Sequence, residues 1–205
     1  MKNKCHIILN SDSSDFRIFR IKWFVKSNKS NNLTNPNSDG IPIPTKIMQK
    51  LNLTISLEKY ENEDELSVLE KTLLTEARKA TYKSYAPYSK FHVGAAILLD
   101  NDQIITANNQ ENAAFPSGSC AEQSAIFWVG ANYPERKIKA IAVIARPGAG
   151  DVFRGVSPCG ACRQAMLEYE NRQQEPIRLL MLSADNQVIV MSSIGDMLPL
   201  KFNEF

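Results

Sequence analysis

Two short stretches of the chain carry residue types that can do chemistry together. In PSGSCAEQSA, residues 116–125, Cys120 stands two positions before Glu122. In SPCGACRQA, residues 157–165, Cys159 and Cys162 form a Cys-x-x-Cys pair just after Pro158. Both stretches read as the opening turn of a helix. Helix starts leave backbone N–H groups unpaired and favour negative charge, so thiolates are stabilised there. Residues three apart on a helix share a face, so Cys159 and Cys162 can reach one ion. Cys120, from a second helix start, supplies a third sulfur. Three protein ligands leave the fourth tetrahedral position of a zinc ion open for water, the catalytic rather than the structural pattern.

Each feature alone has a plainer reading. A Cys-x-x-Cys pair also occurs as a redox pair or as core cysteines. A lone Glu at a helix start commonly just complements the helix dipole. The conjunction of Cys-Ala-Glu with Pro-Cys-Gly-Ala-Cys is far more specific. No fourth ligand suggests itself: His6 lies with Cys5 in the N-terminal tail, where both are read as silent, and His92 precedes a strand.

The elements that must position these residues follow from periodicity. Residues 51–57 (LNLTISL) alternate apolar and polar, as a half-buried strand does. Residues 64–81 place Leu66, Leu69, Leu73, Ala77 and Ala80 at helical spacing, with Pro87 soon after. Residues 93–99 read as a strand, 100–103 as a hairpin turn and 104–108 as the return strand. A buried helix is expected over 120–131 and a central strand over 138–145. A helix over 160–170 and strands over 178–182 and 188–192, joined by the turn 184–187, complete the series. Strands alternating with helices predict an α/β domain whose mixed sheet is covered on both faces.

Composition narrows the function. Of 205 residues, 43% are hydrophobic and 22% charged, as in globular domains, and the formal net charge is +2. Residues 1–47 hold eight Lys/Arg against three Asp/Glu, and the remainder sixteen against nineteen. The body is therefore mildly acidic and lacks the basic stripe that a nucleic-acid backbone requires. No apolar run is long enough to span a membrane. Residues 15–26 are apolar but broken by Arg17, Arg20 and Lys22, which argues against a secretory signal; a basic amphipathic surface segment is the other reading. Residues 26–40 are almost wholly Asn, Ser and Lys, with too little apolar surface to offset the entropy of ordering. Residues 1–47 are accordingly expected to be a non-domain extension, even one preceding a true start at Met48, and 48–205 to be the domain.

The chain resembles the cytidine deaminases, the homotetrameric class with three cysteine ligands. The resemblance covers Leu66 to Phe202 and rests on YAPYSKFHVGAAIL (85–98), NNQENAAFPSGSCAEQSAI (108–126), SPCGACRQ (157–164) and GDMLPLKF (195–202), in family order. It implies a three-layer α/β/α fold with a mixed five-stranded central sheet. It further implies one Zn2+ per subunit on Cys120, Cys159 and Cys162, with Glu122 as the proton shuttle. By the same resemblance, Glu122 takes the water's proton, passes it to N3 of cytosine and then protonates the leaving ammonia. Asn109 and Glu111 correspond to an Asn-x-Glu pair that binds the ribose 3′-hydroxyl, and Ala121 lies at the base. Taken singly, Phe91, Phe115 and Phe202 each suit a core. Their motif positions put Phe91 near the pyrimidine, Phe115 where many relatives have Tyr, and Phe202 on the base of a neighbouring subunit. Gln123 departs from the Arg that relatives carry beside the sulfurs, whereas Arg163 matches a second such Arg.

The function expected is hydrolysis of cytidine and 2′-deoxycytidine in cytoplasmic pyrimidine salvage, by a homotetramer that binds a small nucleoside and neither nucleic acid nor membrane. The alternatives are a deaminase of another cytosine nucleoside, such as a blasticidin-type antibiotic, and a catalytically silent zinc module of the same fold.

Overall fold

A computed structural model describes residues 52–183 and 185–202. The expected extension, residues 1–47, lies outside them, as do Leu51 and Ala184. Helix α1 (Val68–Thr81) starts at Ser67, whose backbone is extended and whose hydroxyl accepts from the Glu70 N–H; the Glu70 carboxylate returns the bond to the Ser67 N–H, a reciprocal capping box. That cap moves the helix start four residues past the expected position. A separate 3-10 turn, Glu63–Glu65, precedes it, capped by Asn62. Leu73, Leu74, Ala77, Ala80 and Thr81 are buried, whereas Leu69, expected inside, is exposed.

Among the described residues, six strands form one sheet in the order β1-β6-β5-β4-β2-β3. These are β1 (Glu58–Tyr60), β2 (Phe91–Leu99), β3 (Ile104–Asn108), β4 (Ile138–Pro147), β5 (Arg178–Leu182) and β6 (Val188–Met191). The sheet is mixed, as expected: only β4 and β5 run parallel, joined across helix α3 (Gly160–Gln173), and the other neighbours are antiparallel. Its strand count exceeds the implied five by the three-residue edge strand β1. The first strand also lies later than expected. Ile55 and Leu57 do pack on the core, but pairing with β6 covers only Glu58–Tyr60. Alternation reports a buried face, not where a partner strand begins.

The two faces of the sheet separate cleanly by residue parity. Ala96, Leu98, Ala140, Ala142, Ile144 and Leu180 point to the face covered by α1. Ala95, Ile97, Ile141, Val143 and Leu179 point to the face covered by α2 (Ala121–Asn132) and α3. Burial on both faces explains why residues 140–145 of β4 read as an unbroken apolar run. Helix α1 lies so close to β2 that a Cβ at Gly94 would stand 2.1 Å from the Ala77 carbonyl oxygen. Only glycine permits that approach.

Candidate active site

The site forms where β2 begins, β3 and β4 end, and α2 and α3 start. Cys120 is the N-cap of α2 and Cys159 the N-cap of α3; neither makes a side-chain capping bond, which leaves both sulfurs directed to other partners. Cys162 lies in the first turn of α3 and is fully buried, while Cys120 and Cys159 are exposed. The three Sγ atoms lie within 4.8 Å of one another, and Cys159 and Cys162 Sγ are 3.5 Å apart. Tetrahedral zinc–thiolate bonds of about 2.3 Å would set sulfurs about 3.8 Å apart, so the cluster fits a zinc ion with its fourth position open.

The sulfurs are unequal. The bond from Cys162 brings the Cys120 thiol down to about 7, against partial desolvation of its sulfur and the charge of Glu122. The same bond pushes Cys162 up, as do burial and Glu122. Glu122 sits in the first turn of α2 at 6% exposure, and burial raises its carboxyl above the usual range. A carboxyl raised above its ordinary range beside thiols that fit a metal suits proton transfer in both directions.

Backbone pairing brings the segment of Asn109 and Glu111 alongside. Gln110 and Ser119 exchange both backbone hydrogen bonds at 2.9 Å, and Gln110 also bridges to Tyr85. The segment bearing Asn109 and Glu111 therefore lies next to the entry to Cys120. The Asn109 amide clamps the start of β2, accepting from the Val93 N–H at 2.8 Å and donating to the Phe91 carbonyl at 2.9 Å. Glu111 accepts from the N–H groups of Tyr88 (2.9 Å) and Ser89 (3.3 Å), and its carboxyl is held low chiefly by Ser89. An amide has two hydrogens and a carboxylate several lone pairs, so each can take a further partner.

Ala121 is fully buried between Cys120 and Glu122. The phenylalanines are not core residues: Phe91 is 37% exposed, Phe202 61% and Phe115, in a short 3-10 turn, 91%. Gln123 is half-buried on α2. Arg163 donates to Pro158 O (2.7 Å), Ser157 Oγ (2.9 Å) and Met197 O (3.3 Å), so it braces the approach to Cys159.

Residues 68–174 match the profile described as the cytidine and deoxycytidylate deaminase zinc-binding region. The chain belongs to this family.

Other deaminases bear out the assignment. A cytidine deaminase of Sporosarcina psychrophila is 39% identical over 132 residues, which are 64% of this chain and 90% of that one. The crystal structure of cytidine deaminase from Burkholderia pseudomallei superposes with a TM-score of 0.54 at 35% identity, covering 64% of this chain and 97% of that one. A blasticidin-S deaminase of Bacillus cereus is 30% identical over 117 residues, 56% of this chain and 79% of that one. The chain is thus a zinc-binding hydrolytic deaminase of the α/β/α class, and zinc is its cofactor.

Two polar side chains that brace the surrounding elements were given no role in the sequence reading. His92 Nδ1 lies 2.5 Å from Ser84 Oγ, tying the start of β2 to the turn after α1. Glu170 is buried on α3 and anchors the segment that follows β6. Its spacing from Met166 and Leu167, both fully buried, was the available signal that it faces inward.

Proposed function

We propose that this deaminase hydrolyses cytidine and 2′-deoxycytidine to uridine and 2′-deoxyuridine, releasing ammonia, as a cytoplasmic homotetramer serving pyrimidine salvage. The observation that carries the reading is the thiol cluster of Cys120, Cys159 and Cys162 with buried Glu122 two residues from one sulfur. Zinc held there supplies a water acidified enough to attack at neutral pH. Glu122 would take one proton of that water and deliver it to N3 as the oxygen adds to C4, then take the proton of the new C4 hydroxyl and pass it to the amine as the C4–N bond breaks, leaving the C4 carbonyl and ammonia. Asn109 and Glu111, fixed by their bonds to the 88–93 backbone, hold the ribose 3′-hydroxyl. Ala121 and Phe91 line the base, Phe115 offers a ring without the hydroxyl of Tyr, and the exposed Phe202 packs on the base of a neighbouring subunit. Arg163 and Gln123 set the surroundings of the sulfurs.

A second reading, an antibiotic nucleoside as substrate, is favoured by the similarity to blasticidin-S deaminase. Both are tested by following absorbance on mixing the purified protein with cytidine, 2′-deoxycytidine, cytosine, cytidine monophosphate and blasticidin S. Loss of absorbance with the two nucleosides and not with cytosine or the monophosphate is expected. A site built for a sugar hydroxyl should reject cytosine by orders of magnitude. Turnover of blasticidin S with none of cytidine would replace the first reading by the second.

A further inference from the structure

The segment that carries Phe202 has no strand to hold it. After β6 the chain makes one 3-10 turn, Ile194–Met197, and then runs irregularly to Phe202. Three side chains of α3, the helix that also carries Cys162, hold this segment. Arg163 bonds the Met197 carbonyl, and Gln164 Nε2 donates to the Phe202 carbonyl at 2.9 Å. The third is Glu170. Its carboxylate accepts from Ser193 Oγ (2.6 Å), Ile194 N–H (2.8 Å), Gly195 N–H (3.0 Å) and, at the entry to β5, Ile177 N–H (2.8 Å). Lys201, the neighbour of Phe202, folds back over the same point: a Cβ at Gly195 would meet Lys201 Nζ at 2.2 Å and Glu170 Oε1 at 3.0 Å.

A carboxylate this deeply buried is costly unless its lone pairs are taken. Here they are taken by backbone donors of the Ser193–Gly195 turn, which no strand partner would otherwise satisfy. An apolar side chain would fill the space and take the acceptor from the Ile194 and Ile177 N–H groups, leaving Gly195 only its bond to Ser193 Oγ.

We infer that Glu170 is a positioning residue for deamination: it fixes the 193–197 turn against α3 and thereby sets where Phe202 meets the base. The inference rests on the reading that Phe202 packs on the substrate base. Glu170 touches neither zinc nor substrate, so its removal should weaken nucleoside binding and leave metal and proton transfer alone.

The test uses the full chain loaded with zinc and compares Glu170→Gln, Phe202→Ala and the double variant. Zinc per chain, KM and kcat for cytidine are measured. Glu170→Gln should keep its zinc and hold kcat near the parent value. Its KM should rise about tenfold, the loss expected for one strong hydrogen bond to a charged group. The double variant should have no higher KM than Phe202→Ala, because the two changes remove one interaction. Ser193→Ala, which deletes one of the donors and leaves the carboxylate, should raise KM in the same direction by a smaller factor, and it decides the matter if Glu170→Gln does not fold. Independent, multiplying effects of Glu170→Gln and Phe202→Ala on KM would overturn the positioning role. So would an unchanged KM in Glu170→Gln, or in Ser193→Ala, while Phe202→Ala raises it. An unchanged KM in Phe202→Ala would overturn the placement of Phe202 itself, and with it the role given to Glu170.

Discussion

Cys120 and Glu122 are two residues apart, yet their environments divide the work between them. Cys120 caps the helix from outside and remains exposed, with its thiol brought down to about 7 by the bond from Cys162. Glu122 lies inside the first turn, where burial raises its carboxyl above the usual range. One group gives up its proton more readily than usual and the other takes one up more readily. Glu122→Gln should therefore bind zinc as before and lose turnover by roughly 10²–10⁴-fold, the usual range for a general acid–base. Cys159→Ala should lose zinc too, since two thiolates hold the ion poorly. Zinc content and turnover measured on the same samples separate the two outcomes. Near-normal turnover in Glu122→Gln would remove it from the proton path.

Helix α1 carries no catalytic group, but it anchors the sheet that does. Its cap residue Glu70 also accepts from Arg178 of β5, at 3.2 Å from Nε and 3.0 Å from Nη2. Burial alone would raise the Glu70 carboxyl, but the Ser67 bonds and Arg178 together outweigh it and hold the group low. The sign of the stability effect follows. A depressed folded pKa contributes stability above the unfolded value, about 4.3, which is lost as pH falls through the folded one. Glu70→Gln should cost about 1–2 kcal/mol at pH 7 through the cap and the arginine pair. Its deficit against the parent should shrink as pH falls from about 4.3 through the lower folded value, where the parent carboxylate takes up its proton. Thermal unfolding of both proteins from pH 3 to 7 checks this. A deficit constant with pH would show that packing, not charge, is what the substitution removes.

At the scale of the molecule, several large aromatic side chains are exposed. Phe115, Phe127, Trp128 and Phe202 are each at least 45% exposed. Exposed aromatic side chains are the kind of surface an interface covers. The native mass should be about four chains, in keeping with closed symmetric assembly. Phe202→Ala should raise KM for cytidine by roughly tenfold, the low end for a buried aromatic contact at an interface. A fully active monomer, seen by sedimentation at assay concentration, would contradict a shared site. The composition break before Met48 leads to a further expectation: a protein starting at Met48 should fold and deaminate cytidine like the full chain. An insoluble or inactive product would make residues 1–47 part of the working domain.

Sequence by itself determined the chemistry of the site and the order of the elements. Sulfur ligands, their spacing and the carboxylate beside one of them are properties of residue type and helical period, so Cys120, Glu122, Cys159 and Cys162 were legible without coordinates. Strands β2 to β6 were legible for the same reason, because burial on one or both faces imprints alternation or an apolar run. What periodicity cannot encode is a partner. The edge strand β1 began where β6 could pair with it, and α1 began where Ser67 and Glu70 could close a capping box. Tertiary structure alone decided that three sulfurs from two helix starts converge within 4.8 Å. It alone showed that Gln110 bridges Tyr85 to Ser119 and so lays Asn109 and Glu111 beside the cysteine. Glu170 was missed because a charged residue on a helix usually faces water, and only the turn at Ser193–Gly195, folded against it from more than twenty residues away, supplies the donors that make its burial favourable.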